Sequence, residues 1–242
     1  MPEWTDSALI IGIKKFAEQD GVFSFFTQNH GKYSGLIKNA FSKRQAGNLQ
    51  IGNLVQISWK ARLEEHLGTV KAELLTSYSA SLLDNPPRLT ALSCISAMCS
   101  LLPERENVSD FFQMTLEQIA LLQFDGWAAR YALWEADLLK ALGFGLDLSA
   151  CAVSGTTDDL IYVSPKSGRA VCRSAGEPWR DKLLMLPSFL REKNISPDNK
   201  EIKKALKLTG FFLENYVLKT LDCTIPAVRE RLIATLTKDE NS

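Results

Sequence analysis

The spacing of apolar residues changes near Thr76, and this change constrains the fold more than any other feature. Before it, short β-branched and aromatic runs alternate with polar residues, most clearly in the segment where Val55, Ile57 and Trp59 share one face. After it, apolar residues recur every three or four positions, which is the spacing of an amphipathic helix. The chain is therefore predicted to be α+β, with a β domain followed by a mainly α-helical domain.

The predicted β domain covers residues 1–76. A turn at Asn29-His30-Gly31 joins two arms of a hairpin, and glycines punctuate the other connections. Strands this short and this closely spaced are typical of a small closed barrel of the OB or SH3 type. The five predicted strands are Ala8–Ile13, Val22–Phe26, Tyr33–Ile37, Leu54–Trp59 and Gly68–Leu74.

The predicted helical domain covers residues 77–242. Proline and glycine divide it into segments of helical spacing, and Ser109-Asp110 is expected to cap one of them. Gly143 is expected at the C-terminal end of another. The predicted helices are Ser77–Leu83, Leu89–Leu102, Phe111–Phe124, Trp127–Leu142, Asp181–Arg191, Lys200–Leu221 and Val228–Leu236.

The overall charge points to no particular partner, because 28 basic and 28 acidic residues cancel. The polar, acidic start is unlike a secretion signal, and no apolar run reaches the roughly 18 residues of a membrane span. Five cysteines, an odd number, are expected to be reduced thiols of a cytoplasmic protein.

The uneven placement of charge is more informative. The segment between Gly21 and Leu63 contains no Asp or Glu, yet it carries several cations interleaved with aromatic residues. Cations neutralise phosphates and aromatic rings stack on bases, so the segment indicates a nucleic-acid interface on the barrel. The competing interpretation is a solvated basic face over an aromatic core. The candidate DNA-binding residues are Lys32, Lys38, Lys43, Arg44, Lys60 and Arg62.

The segment from Leu142 to Arg173 has the outline of a zinc knuckle. Cys151 and Cys172 flank a predicted strand, Leu160–Val163, and a turn containing Pro165. A structural zinc site uses four nitrogen or sulfur ligands, usually from paired C-x2-C arms. Ser154 and Ala175 stand where the second cysteine of each arm would be. No metal is therefore expected, and the two thiols are predicted to pack as small hydrophobes.

Sequence motifs of enzymes are absent: there is no phosphate-binding loop, nucleophile elbow or paired-histidine metal motif. Glu64, Glu65 and His66 are better explained as an exposed turn than as an acid-base group. Arg130 and Trp134 lie on one predicted helix and are candidates for binding an acidic peptide, although the tryptophan suits packing equally well.

Taken in order, these motifs resemble the RecO family of bacterial DNA repair proteins over nearly the whole chain. The resemblance rests on the order barrel then helical bundle, on the basic loop containing Lys43-Arg44, and on Leu142–Leu146, Cys151–Gly155 and Val163–Val171. It implies an OB-fold, a helical C-terminal region with a degenerate knuckle-like segment at residues 147–176, and no enzymatic activity or cofactor. It also implies a cytoplasmic, nucleoid-associated protein.

The implied partners are single- and double-stranded DNA, RecR, the acidic tail of single-stranded DNA-binding protein and, indirectly, the RecA recombinase. Such proteins anneal complementary strands and help to load RecA. Three features depart from the family, the first being that Asn39 and Phe41 stand in the basic loop where relatives often have Gly and Arg. The zinc ligands that some members carry are incomplete here, and Leu133 stands where many relatives have an arginine. The alternative hypothesis is an adaptor whose helical domain binds proteins while the barrel serves only as a fold module.

Overall fold

The computed structural model describes residues 1–63, 65–192 and 196–238. The chain forms two compact units, Met1–Gln123 and Phe124–Ser242. The first unit therefore extends past the last barrel strand. The division into domains at residues 76 and 77 stays a prediction, and the two units are described separately below.

Five strands form a closed barrel in the first unit, in the order β1-β2-β3-β5-β4. Four neighbouring pairs are antiparallel, and a short parallel contact between β3 and β5 closes the barrel. The predicted OB-type barrel is confirmed, and each predicted strand lies inside an observed one. The strands are β1 Glu3–Lys15, β2 Gly21–Thr27, β3 Gly31–Ile37, β4 Leu54–Lys60 and β5 Gly68–Thr76.

Side chains that alternate in direction along each strand fill the interior of the barrel. Val55, Ile57 and Trp59 point inward from β4 and are fully buried, as their spacing predicts. The closing contact requires glycine, since a Cβ at Gly68 would lie 2.2 Å from the Trp59 ring and one at Gly35 would lie 2.3 Å from the side chain of Val70.

Three helices complete the first unit: α1 Tyr78–Ser81, α2 Pro86–Cys99 and α3 Ser109–Leu121. Phe26 leaves β2 on the face opposite to Phe25 and packs against Phe111 and Phe112 of α3, with ring centroids 6.2 and 5.2 Å apart. The predicted cap of α3 is wrong. Val108 occupies the N-cap position without a side-chain hydrogen bond, and Ser109 already begins the helix.

The second unit contains helices around a small sheet with strand order β7-β6-β8. Helix α4 packs against α6, and α6 also contacts α8. Gly143 follows α4 with a φ of +83°, as its predicted place requires. The elements are α4 Trp127–Ala141, β6 Leu160–Val163, β7 Ala170–Cys172, α5 Arg173–Gly176, β8 Leu184–Met185, α6 Asn199–Phe212, α7 Leu218–Thr220 and α8 Ala227–Lys238.

The predicted helix Asp181–Arg191 is wrong. A 3-10 turn at Glu177–Lys182, strand β8 and a second 3-10 turn at Ser188–Leu190 occupy that region. Pro187 explains the break, because it disfavours a helical conformation of the residue before it. The predicted long helix from Lys200 is also divided, with a π-helical turn, Leu213–Val217, between α6 and α7. No helix among the described residues is long and apolar enough to cross a membrane.

Candidate nucleic-acid interface

The loop that follows β3, residues 38–53, is held in place from both ends. Asn39 has a φ of +54°, and its backbone N–H donates to the Asp20 carboxylate over 2.8 Å. Phe41 donates its N–H to the carbonyl of Gln19 over 3.1 Å. At the far end, the buried Asn53 donates from its side chain to the carbonyl of Asn48 over 3.0 Å. The side chains of this loop are therefore presented from a fixed backbone.

A cleft of about 780 Å³ lies between this loop and β5. The cations that line it are Lys38 and Arg44 from the loop and Lys71 from β5. All three are exposed. Glu73 also lines the cleft, so its walls are mostly but not wholly basic. The structure thus brings together two of the predicted residues, Lys38 and Arg44.

Lys71 is the cation that the sequence analysis missed. It lies outside the acid-free segment, on a strand that also carries Glu73. The alternation of β5 contains the signal, because Thr69, Lys71 and Glu73 occupy its outward face while Val70 is buried. The contact that closes the barrel between β3 and β5 then places this outward face beside the basic loop.

Lys43 and Phe41 occupy the same loop without lining the cleft. Lys43 is exposed, next in sequence to Arg44. Phe41 is 37% exposed, and its ring centroid lies 6.4 Å from that of buried Phe23. Tyr33 and Trp59, by contrast, are core residues. Of the aromatic residues in the acid-free segment, Phe41 is therefore the best placed to stack on a base.

Lys32 does not line the cleft and instead contacts the segment that follows α2. Its Nζ donates a 2.7 Å hydrogen bond to the backbone carbonyl of Ser100, just after α2. Burial lowers the pKa of Lys32, and nearby Glu104 partly opposes that effect. The backbone of Lys32 also accepts a 3.0 Å hydrogen bond from the N–H of Arg105. The side chain therefore ties β3 to the segment after α2.

Lys60 and Arg62 lie at the end of β4. Lys60 Nζ is 2.8 Å from the Glu3 carboxylate, and both side chains are exposed. The hydrogen bond from Lys60 lowers the pKa of Glu3. Arg62 is exposed in the loop that follows β4. Of the weak acid-base candidate in that loop, Glu65 and His66 are exposed, and Glu64 lies outside the described residues.

The knuckle-like segment keeps the geometry of a cysteine turn without a full set of ligands. Cys151 and Cys172 are buried. Cys151 Sγ accepts N–H groups from Val153, Ser154 and Cys172 at 3.5, 3.5 and 3.3 Å. Ser154 Oγ lies 3.5 Å from Cys172 Sγ.

This donor set does not fit four-coordinate zinc. The two cysteines supply two sulfurs, a hydroxyl occupies the third position, and Ala175 offers no donor at the fourth. Among the described residues, no three His, Cys, Asp or Glu side chains cluster as metal ligands would. The thiols are buried as expected, but Cys151 is hydrogen-bonded and so is not merely a small hydrophobe.

In the second unit, a cleft of about 690 Å³ lies between the start of α4, the start of α6 and the end of α8. Arg130 and Leu133 line it together with Trp127. Arg130 is exposed at this cleft. Trp134 is 3% exposed and packs against Tyr131, with ring centroids 5.6 Å apart. A partner can therefore reach Arg130, whereas the Trp134 ring belongs to the core.

Comparison with known proteins covers both units. The family model described as "Recombination protein O N terminal" matches residues 1–78, and "Recombination protein O C terminal" matches residues 84–222. The chain is 43% identical to the DNA repair protein RecO of Rhodospirillum rubrum over 98% of its own length and 97% of that protein. It is 40% identical to the RecO of Mesorhizobium japonicum, covering 98% and 94% of the two chains. It is 42% identical to the RecO of Bartonella quintana, covering 96% of each.

Proposed function

Because the chain belongs to the RecO family of DNA repair proteins, we propose that it is a non-enzymatic, DNA-binding mediator of recombinational repair. In this role it binds single- and double-stranded DNA, anneals complementary strands and, with RecR, helps to load RecA. It acts in the cytoplasm at the nucleoid. The observation that carries the DNA-binding proposal is the cleft beside β5.

Three properties of that cleft suit a phosphate backbone. Lys38, Arg44 and Lys71 approach it from two separate segments, so a strand lying between them meets cations on both walls. The loop that supplies two of them is fixed by backbone hydrogen bonds, which reduces the entropy lost on binding. None of these contacts depends on base identity, so binding through the cleft is independent of sequence.

The test compares the salt dependence of binding to a labelled single-stranded oligonucleotide. Replacing Lys38 and Arg44 together by glutamine should reduce the slope of log K against log[salt] by about 1.4, because each phosphate contact contributes about 0.7. A charge-matched control replaces Lys140 and Lys219, exposed lysines of the second unit, by glutamine. Equal slopes for the two double variants would contradict the assignment of the cleft.

The alternative function is the protein adaptor whose barrel is only a fold module. It predicts negligible DNA affinity in the unaltered protein and normal partner binding by the Lys38 and Arg44 double variant. The alternative is excluded if the unaltered protein binds DNA with a salt-dependent affinity and the Lys38 and Arg44 double variant does not.

We also propose that the cleft lined by Arg130 receives the acidic tail of single-stranded DNA-binding protein. The family resemblance implies an arginine at the position of Leu133, and Leu133 lines the same cleft as Arg130. A cation one turn earlier on α4 can therefore serve the same cleft. Trp127, Phe189 and Ile202 supply apolar walls beside it, and a peptide with carboxylate and apolar side chains needs both features.

A further inference from the structure

Helix α6 carries a stripe of lysines that the barrel interface does not involve. The stripe consists of Lys200, the adjacent pair Lys203 and Lys204, and Lys207, with each member of the pair three or four residues from Lys200 and from Lys207. Glu201 is the one acidic residue in the helix sequence. On a helix with 100° per residue, the four lysines span about 100° of the circumference. Lys200, Lys204 and Lys207 are exposed.

The packing of α6 turns this lysine stripe outward. Ile202, Leu206 and Thr209 form the opposite, buried face. At 1.5 Å of rise per residue, Lys200, Lys204 and Lys207 are separated by about 6 and 4.5 Å along the axis. These separations allow long, flexible lysine side chains to reach successive phosphates of one strand.

The position of Lys200 is unfavourable for the helix itself. The N-terminal end of a helix is electropositive, so cations in its first turns destabilise it by a few tenths of a kcal/mol each and acids are favoured there. Asp198 caps this end by accepting the backbone N–H of Glu201 over 2.8 Å. Lys200 nevertheless occupies the first turn beside Glu201, the acid that is favoured there. The macrodipole therefore does not explain a cation at this position.

From this arrangement we infer that the lysine stripe of α6 is a second binding surface for the phosphate backbone of nucleic acid. The inference rests on the proposed DNA-binding function and extends it to the second unit. The helix dipole adds to the attraction for phosphate at the same end. One molecule with two such surfaces can hold two strands at once, which is what pairing complementary strands requires.

The charges on the other helices favour a nucleic-acid-binding role for the α6 lysines over an ordinary solvent-exposed helix face. The exposed residues of α3 include Asp110 and Glu117, and those of α8 include both Glu230 and Arg231. Among the helices that the structure describes, α6 alone carries several lysines, in a chain whose basic and acidic residues are equal in number. Its single acid, Glu201, pairs with Lys204 at 2.5 Å and so restrains one lysine of the stripe.

The test uses the full chain with Lys200 and Lys207 replaced by glutamine, and the Lys140→Gln, Lys219→Gln double variant as the charge-matched control. We expect the stripe variant to lose about 1.4 from the salt slope on single-stranded DNA. It should also anneal complementary oligonucleotides at least several-fold more slowly, while the control behaves as the unaltered protein. Glu201→Gln releases Lys204 and should tighten DNA binding, a gain that damage to the fold cannot produce.

Equal slopes and annealing rates for the stripe variant and the control would overturn the inference. So would a stripe variant that keeps its DNA binding but no longer binds an acidic peptide, since the surface would then belong to a protein partner. If the Lys38 and Arg44 variant binds DNA normally while the stripe variant does not, the proposed DNA-binding role of the barrel cleft is wrong and that of the lysine stripe is supported. If the unaltered protein shows no salt-dependent DNA binding, both fail.

Discussion

Arg229 and Glu135 form a buried, two-pronged ion pair in the second unit, although 94 positions separate them in the chain. Arg229 donates from Nε to one carboxylate oxygen over 2.7 Å and from Nη2 to the other over 2.8 Å. Tyr131 donates its hydroxyl to the same carboxylate over 3.1 Å, and Thr209 also donates to it. Helices α4, α6 and α8 thus meet at one carboxylate.

Removing one partner of this pair should destabilise the protein strongly. Glu135→Ala leaves the Arg229 guanidinium buried without its counter-charge, which typically costs about 3–5 kcal/mol. Urea denaturation followed by circular dichroism measures the loss. The control replaces both residues by methionine, which removes the unpaired charge, and it should cost much less than the single change. A single variant as stable as the unaltered protein would show that the pair contributes nothing.

Lys32 should matter for stability and not for DNA. Lys32→Met keeps the apolar stem but removes the hydrogen bond to the Ser100 carbonyl, which should cost about 1–2 kcal/mol in this half-buried position. The salt slope of DNA binding should be unchanged. Lys38→Met is the matched control and should give the reverse pattern. A Lys32 variant that loses DNA affinity while keeping its stability would contradict this prediction and show that Lys32 contacts DNA.

Glu3 should restrain DNA binding through Lys60. If Lys60 contacts phosphate, Glu3→Gln removes a competing carboxylate 2.8 Å away and should strengthen binding severalfold at low salt. The advantage should shrink as salt rises, because the exposed pair is screened. Fluorescence anisotropy at two ionic strengths measures both effects. An unchanged affinity at low salt would place Lys60 outside the interface.

The strand pattern was sufficient to predict the barrel, but the candidate interface depended on which strands become neighbours. The segment from Gly21 to Leu63 contains no Asp or Glu, but the fold places acidic residues of another segment beside it. Pairing of β1 with β4 brings Glu3 beside Lys60. The Asp6 carboxylate likewise lies 2.8 Å from Nδ1 of His30, another residue of that segment.

The helical domain shows the same limit. Apolar spacing located α4, α6 and α8, but it carries no information on the contact between Glu135 and Arg229. Likewise, the spacing of Asp181–Arg191 suits a helix, whereas pairing of β8 with β6, a contact between distant segments, decides the structure there. Local pattern predicts elements, and only their packing determines which charges meet.

Cys151 should make stability depend on pH. Burial raises the pKa of this thiol, but hydrogen bonds from the backbone of Cys172 and from Ser154 and Val153 outweigh it and bring the pKa to about 6. An unfolded cysteine titrates near pH 8.5, so folding favours the thiolate. Its contribution should be full above about pH 8.5 and should be lost as the pH falls towards 6.

The measurement is urea denaturation of the unaltered protein and of Cys151→Ala at pH 6 and pH 9. The difference in unfolding free energy between the two proteins should be larger at pH 9. Cys223→Ala removes an exposed thiol and serves as the control for the loss of a cysteine. A difference that is the same at both pH values would mean that Cys151 stays protonated in the folded protein.

Arg130 should control the affinity for an acidic peptide. Arg130→Ala removes the exposed cation of the cleft near α4 and should weaken binding of a labelled acidic tail peptide about tenfold, which corresponds to about 1.4 kcal/mol. Trp134→Phe should leave that affinity unchanged, because the ring is buried against Tyr131 and does not line the cleft. Lys140→Ala removes an exposed cation at the opposite end of the same helix and separates a local contact from general charge. Equal loss of affinity in the Arg130 and Lys140 variants would mean that the peptide responds to net charge, and the cleft would then not be its site.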